Sequence, residues 1–495
     1  MNLVSTRNIK NQVAPAEAIA GGLACDGGLF APVSLPSFTM SKIAALGSLS
    51  YSELVAYVAS PFLSDFTREE ISCFTKLAYT NFPEHAAPIV SLNSSTHILE
   101  LFHGPTCAFK DFALQLLPHL LSASLKKIGI DKTALILTAT SGDTGSAALE
   151  GFGSVSGTKI CVFYPNSGIS SIQRLQMTSR EGKNLKVIGI EGNFDDAQSG
   201  VKGIFNNSAL VEHLDSMGYI LSSANSINWG RIVPQIAYYF SAYATLVSSG
   251  AIAAGDSINV SVPTGNFGNI LAAYYAKKCG LPVNKLICAS NANNVLSDFI
   301  NTGIYDKNRS FHATNSPSMD ILISSNLERF LFDLHYHDDS VINCLMASLS
   351  GTGRYEISTS ALSKMQSILY AGYSNDESTL STINEVWSNC NYLCDTHTAV
   401  AIKIHKEYME KTGDCTPTII ASTASPFKFT DSALEALRVP AIGNDFEKLA
   451  RLSEKCNLQC PDALMSLDQK EELHKTVCHP EEMKEQILGW LGDSV

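Results

Sequence analysis

The stretch T-H-I-L-E-L-F (96–102), followed by H-G-P-T-C-A-F-K (103–110), decides how this chain is read. Its first seven residues are mostly apolar and predict a strand, which Gly104-Pro105 breaks. Phe112, Leu116 and Leu120 then recur at helical spacing, so Lys110 stands where a loop becomes a helix. The positive end of a helix macrodipole favours a neutral amine there, and imine chemistry with an aldehyde or ketone needs a neutral amine. Lysines at such junctions are ordinarily solvated, so the position alone assigns no role.

Working outward, the same strand–loop–helix unit repeats. Strands are predicted at 133–139, 159–164 and 185–190, each leading into a helix (146–152, 170–180 and 194–207). The lysine helix is predicted to run to about Lys127 with a kink at Pro118. A second series starts with a helix from Asn228 to about Val247. Strands at 257–262, 286–289 and 416–421 follow, with a helix at 269–279. Short buried strands alternating with helices are the signature of parallel, doubly wound sheets. The expected division is 1–90, a small, mostly helical N-terminal domain; 91–225, a first α/β domain carrying Lys110; 226–445, a second α/β domain; and 446–495, a charged helical tail forming a solvated outer layer.

At 495 residues the chain is too long for one core. It is 45% hydrophobic and 17% charged, a globular balance. The net charge of −12, without a basic run, argues against nucleic acid or an anionic membrane as partner. Thirteen cysteines lack a pairing pattern, and the first twenty residues lack an apolar signal segment, so a cytoplasmic protein with reduced thiols is expected. No metal site is indicated, because Cys390/Cys394 and Cys456/Cys460 have neither the spacing nor the matching second pair for zinc.

Ligands of open α/β sheets gather beyond the carboxyl ends of the strands. Three loops fall there: Ser141-Gly142-Asp143-Thr144-Gly145, Thr264-Gly265-Asn266-Phe267-Gly268 and Ser422-Thr423-Ala424-Ser425-Pro426. The first suits a carboxylate and the second a phosphate, each at a helix N-terminus. Neither is a Walker A or G-x-G-x-x-G pattern, so ATP and NAD are not indicated. A lysine at a helix start beside two anion loops suits pyridoxal phosphate.

On these residues the chain resembles threonine synthase of the longer bacterial and fungal branch. That family has fold type II of the pyridoxal phosphate enzymes, shared with the tryptophan synthase β-subunit and cysteine synthase. The resemblance runs through E-L-F-H-G-P-T-x-A-F-K-D-F (100–112), T-A-T-S-G-D-T-G (138–145), E-G-N-F-D-D-A (191–197), S-A-N-S-I-N (223–228), V-P-T-G-N-F-G (262–268) and S-x-x-M-D-I (316–321). It implies that Lys110 forms the imine with the cofactor and serves as catalytic base. It implies that Gly265, Asn266, Phe267 and Gly268 bind the cofactor phosphate, and that Thr423 meets the pyridine nitrogen. Ser141, Gly142, Asp143 and Thr144 would hold the substrate carboxylate and flank the pyridine hydroxyl. Asn225, Ser226 and Arg231 would grip the substrate phosphate.

The implied reaction takes O-phospho-L-homoserine and water to L-threonine and phosphate, in a monomer or a homodimer. The chain departs from the family at Tyr164–Ser171, where two cations are missing, at Ser425 and Phe427 in T-A-S-P-F-K-F, and at Asn269, usually an acid. A less basic cleft allows an alternative product set, 2-oxobutyrate, ammonia and phosphate, as in the threonine-synthase-like phospho-lyases. A more remote alternative is a non-catalytic protein of the same fold.

Overall fold

Two parallel sheets carry the chain. The computed structural model describes residues 1–167 and 169–492, so Gly168, in the altered 164–171 segment, lies outside them. One sheet runs Val477–Cys478, Leu185–Ile190, Thr158–Pro165, Thr133–Ala139, Tyr219–Ser222, all parallel. The other runs Leu369–Tyr373, Val283–Ser290, Ile258–Pro263, Thr418–Ser422, Thr96–Glu100, Ile89–Ser91, parallel except for its last pair. Helices cover both faces, so the central strands are buried on both sides. Ile258–Pro263, for example, is buried at every residue, its polar Asn259 and Ser261 included.

Sheet membership does not follow the expected division at 225/226. The strand that leads to Lys110 lies in the six-stranded sheet, between Thr418–Ser422 and Ile89–Ser91. The lysine loop is therefore carried by the six-stranded sheet, as the 264–268 loop is, rather than by the five-stranded one.

The N-terminal ninety residues are less helical than their sequence implies. Leu3–Ser5 pairs antiparallel with Asn8–Val13 and with Phe30–Pro32; two of these strands have three residues, and Asn8–Val13 is a mostly polar, exposed strand without an apolar pattern. Ile19, Val55 and Phe62 share one apolar core with Trp229, Tyr239 and Leu271. The fully buried Arg329 stitches the join, donating to Phe30 O (2.8 Å), Asn326 Oδ1 (2.5 Å) and Ile227 O (2.6 Å).

Two further expectations are corrected. The lysine helix does not kink at Pro118; it ends, and Lys110–Leu114 and Leu117–Lys127 are separate helices. Pro118 occupies the first turn of the second, where its missing N–H costs nothing. The tail beyond 446 is not simply a solvated layer. Leu449, Leu452, Met483 and Ile487 are buried, and Val477–Cys478 forms the edge strand of the five-stranded sheet. Its outward charges mask an amphipathic inner face. Among the described residues no helix is long and apolar enough to cross a membrane.

Candidate functional site

The lysine loop is laced to the third of the expected ligand loops. Leu101 N donates to Ser422 O (2.9 Å), Phe109 N to Thr423 O (2.8 Å) and Ser425 N to Cys107 O (3.0 Å). Cys107, at φ 59°, takes the left-handed conformation that turns the chain into the helix. Beneath the loop lies the buried Asp111, which accepts from Thr106 N (2.8 Å) and Thr106 Oγ1 (2.6 Å). Only glycine fits at 104, since a Cβ there would stand 2.6 Å from the Asp111 side chain.

Burial pushes the Asp111 carboxyl up to about 7, against the opposing pull of the two Thr106 hydrogen bonds. A carboxyl raised on folding contributes stability that is present below its unfolded value and lost as pH rises through about 7. Replacing it, Asp111→Asn, is expected to remove that part of the slope. Chemical denaturation across the interval checks this, and a variant with the parent's slope would refute it.

Lys110 is the first residue of its helix, with its side chain 13% exposed. Its Nζ lies 3.6 Å from Asp143 Oδ2 and 3.5 Å from Ser318 Oγ, and Ser318 Oγ in turn donates to Asp143 Oδ2 at 3.3 Å. Burial lowers the Lys110 ammonium from its ordinary value. Asp143 opposes this, while the charges of Arg231 and Lys428 add to it. The result is an amine drawn toward its reactive neutral form.

Asp143 opens the helix Asp143–Phe152. Its other oxygen is 2.7 Å from the Nζ of Lys428, a lysine with no exposed side-chain surface that also donates to Thr106 O at 2.9 Å. Burial raises the Asp143 carboxyl, but Lys428 and Lys110 outweigh it and hold the group well below the usual carboxylate range. Before it, Thr140 Oγ1 accepts from Gly142 N (3.0 Å) and Gly145 N (2.9 Å). Gly142, at φ 136°, is pressed on Gln173, 2.7 Å from where a Cβ would stand. Ser141 is exposed and Thr144 half-buried.

The phosphate-type loop ends at the helix Gly268–Lys278, with Phe267 left-handed at φ 60° as its N-cap. Among the described residues the amides of Gly265, Asn266, Phe267 and Gly268 meet no acceptor. That free donor set at a helix N-terminus is the chemistry that a phosphate takes. The loop is held close to Lys110 through Ser318, whose carbonyl oxygen is 2.9 Å from where a Gly265 Cβ would stand. Asn326 Nδ2 joins the loop to the 223–228 segment, donating to Asn266 O (3.1 Å) and Ser226 O (3.2 Å).

Arg231 is buried in the helix Trp229–Ser248 and donates to Ala224 O at 2.8 Å, while its Nε is buried without a partner. Burial pulls its guanidinium down to about 10. Asn225 is exposed and Ser226 half-buried, and they follow directly on Ala224, whose carbonyl this arginine holds. Thr423 is buried at the end of the strand beside the lysine loop.

Sequence reading missed Lys428 and Ser318 in this cluster, and behind them His397, which accepts from the Ser318 amide, with its partner Asp395. Ser318 stood inside the quoted S-x-x-M-D-I motif and Lys428 inside T-A-S-P-F-K-F, so the local signal existed for both. Of the departures, Phe427 is buried in the apolar cluster of Cys107 and Ile172, so its bulk is absorbed by the core. Asn269 Oδ1 accepts from Tyr238 Oη (2.7 Å) and from Tyr239 Oη. In the altered 164–171 segment, Ser170 caps the next helix and Ser171 Oγ donates to Asp445.

Comparison with known proteins gives this geometry its relatives. Residues 2–79 match the family model for the threonine synthase N terminus, 84–414 that for pyridoxal-phosphate dependent enzymes, and 398–486 that for the threonine synthase C-terminal region. The threonine synthase of Pseudomonas aeruginosa is 38% identical over 92% of this chain and 95% of its own. Human threonine synthase-like 1 is 39% identical over 94% of this chain, which spans only 64% of that longer protein. The pyridoxal-phosphate-bound threonine synthase structure from Brucella melitensis superposes with a TM-score of 0.89 at 39% identity, covering 99% of this chain and all of that one.

Proposed function

The chain belongs to the threonine synthase family of pyridoxal-phosphate-dependent enzymes, and from that premise we propose that it converts O-phospho-L-homoserine and water into L-threonine and phosphate. The observation that carries the reading is the Lys110 amine, held between Asp143 and Ser318 beside a glycine loop with free amides. The residues present fit the cofactor: the free 265–268 amides would take its phosphate, Lys110 its aldehyde, and the Thr423 hydroxyl its pyridine nitrogen. Bound there, pyridoxal phosphate supplies an electron sink for charge developing at the substrate's Cα.

The protein's own groups do the rest. Lys110 Nζ, lowered toward its neutral form, takes the Cα proton, gives it up, and then takes a Cβ proton; as phosphate leaves Cγ and water adds at Cβ, the two protons are returned at Cα and Cγ. Asp143 is itself anionic, so it cannot hold the substrate carboxylate with its side chain. The Gly142 amide is taken by Thr140 Oγ1, so the amides of 143 and 144 and the hydroxyls of Ser141 and Thr144 do that, while Gly142 allows the close backbone approach and Asp143 keeps the Lys110 head in place. Arg231, with Asn225 and Ser226, meets the substrate phosphate. Thirteen free thiols accord with a cytoplasmic location.

One specific observation favours a second outcome, the loss of family cations in 164–171 on the approach to Gln173 and Asp143. The discriminating experiment loads the protein with pyridoxal phosphate, supplies O-phospho-L-homoserine, and quantifies amino acid, keto acid and phosphate. Threonine equal to phosphate is expected. Phosphate with 2-oxobutyrate instead would replace the synthase by a phospho-lyase, and no phosphate would remove the substrate assignment.

A further inference from the structure

Behind Lys110 runs a second line of polar contacts that the reaction outlined above does not use. His397 is 2% exposed and lies in the first turn of the helix Thr396–Thr412, whose N-cap is the buried Asp395. Asp395 Oδ1 accepts from His397 N (2.9 Å) and pairs with His397 Nδ1 (2.9 Å), while Asp395 Oδ2 accepts from the Thr398 hydroxyl. An ionised carboxylate only accepts, so Nδ1 carries the ring proton. The other ring nitrogen, Nε2, is then a lone-pair acceptor, and it receives the backbone N–H of Ser318 at 3.2 Å. Phe429 stacks edge-on against the ring at 4.8 Å and fixes its plane.

Ser318 is where the two halves of the site meet. Its hydroxyl stands between Lys110 Nζ and Asp143 Oδ2, and its carbonyl presses on Gly265 of the phosphate-type loop. It sits in the single turn Pro317–Met319, which is too short to hold itself. The only side chain that bonds its amide among the described residues is His397.

We infer that His397, oriented by Asp395, is a positioning residue that sets Ser318 and through it the Lys110 amine. The inference rests on the reading of Lys110 as the reactive lysine. It goes beyond that reading by assigning a task to a histidine and an aspartate that touch neither the amine nor the glycine loop. The required property is one acceptor at the place of Nε2, which a glutamine Oε1 reproduces and a leucine does not.

The test compares His397→Leu and His397→Gln with the parent, with and without added pyridoxal phosphate. In His397→Leu, hydrogen exchange at the Ser318 amide is expected to quicken about tenfold, in keeping with one lost hydrogen bond. With cofactor and O-phospho-L-homoserine, kcat should fall by a similar factor while KM holds, because the phosphate is gripped elsewhere. His397→Gln should stay within about twofold of the parent on both counts, since the acceptor is restored. Unchanged exchange in His397→Leu would overturn the inference, and so would equal damage in both variants, which is what a role in packing alone predicts. A parent protein that binds no cofactor and turns nothing over would sink the proposed function, yet the amide exchange would still decide this assignment.

Discussion

Lys110→Ala is expected to lower threonine formation by at least about 10⁴-fold, the upper end of what a positioned acid–base group supplies. No neighbour can take its place. The other lysine near Asp143, Lys428, has no exposed side-chain surface and is held by both Asp143 and the Thr106 carbonyl. Folding should survive, since Asp143 keeps Lys428 as its closer partner at 2.7 Å against 3.6 Å for Lys110. Product released over long incubations, beside an unchanged circular dichroism spectrum, is the measurement. A variant that keeps more than about a hundredth of the parent's rate would remove Lys110 from the role of base.

The largest effect on stability is expected from Lys428→Met. The substitution leaves a carboxylate that is 5% exposed with the more distant Lys110 as its remaining ion-pair partner among the described residues, beside hydrogen bonds from Ser318 and Gln173. Breaking a buried pair from one side costs about 3–5 kcal/mol, because the remaining charge loses its compensation. The acid side should shift as well. In the parent, Asp143 is depressed, so its contribution is present above the ordinary carboxylate value and lost only as pH falls well below it. Without Lys428 burial is less opposed and the Asp143 carboxyl rises, so this acid-side loss shrinks and the variant's deficit against the parent narrows as pH falls. Adding Asp143→Asn to Lys428→Met should recover part of the cost in denaturant melts, as a double-mutant cycle reads it. A double variant no more stable than the single one would mean that packing of the lysine stem, not charge pairing, is what Lys428 supplies.

The elements that sequence made legible are those whose signal is local. Thr133–Ala139 is a mostly apolar run and Ile258–Pro263 alternates apolar with small polar residues; both end in glycine turns that lead directly into a helix. Which sheet a strand joins is not local. Nothing within Thr96–Glu100 says that Thr418 will lie beside Thr96. Lys428 shows the same limit within the site. Its flanks, Phe427 and Phe429, hint at burial, but its partner Asp143 comes from a distant loop that reads on its own as an anion cradle. His397 hides at the start of an ordinary helix, and only the turn at Ser318, brought against it by the fold, gives its free nitrogen something to accept.

The placement of the lysine strand has a consequence for how the molecule comes into being. Thr96–Glu100 reaches the phosphate-loop sheet only through Thr418–Ser422, and Lys428 lies 322 residues beyond the Thr106 carbonyl it caps. Closing contacts over such separations is slow, because the entropy of a long loop is spent before the pairing repays it. During N-to-C synthesis Lys110 is made early, and the strand that seats it is made near the end. Until then the amine has neither its counter-ion's second partner nor a sheet to stand on. An arrested chain that stops short of residue 418 therefore carries the lysine without its chemistry.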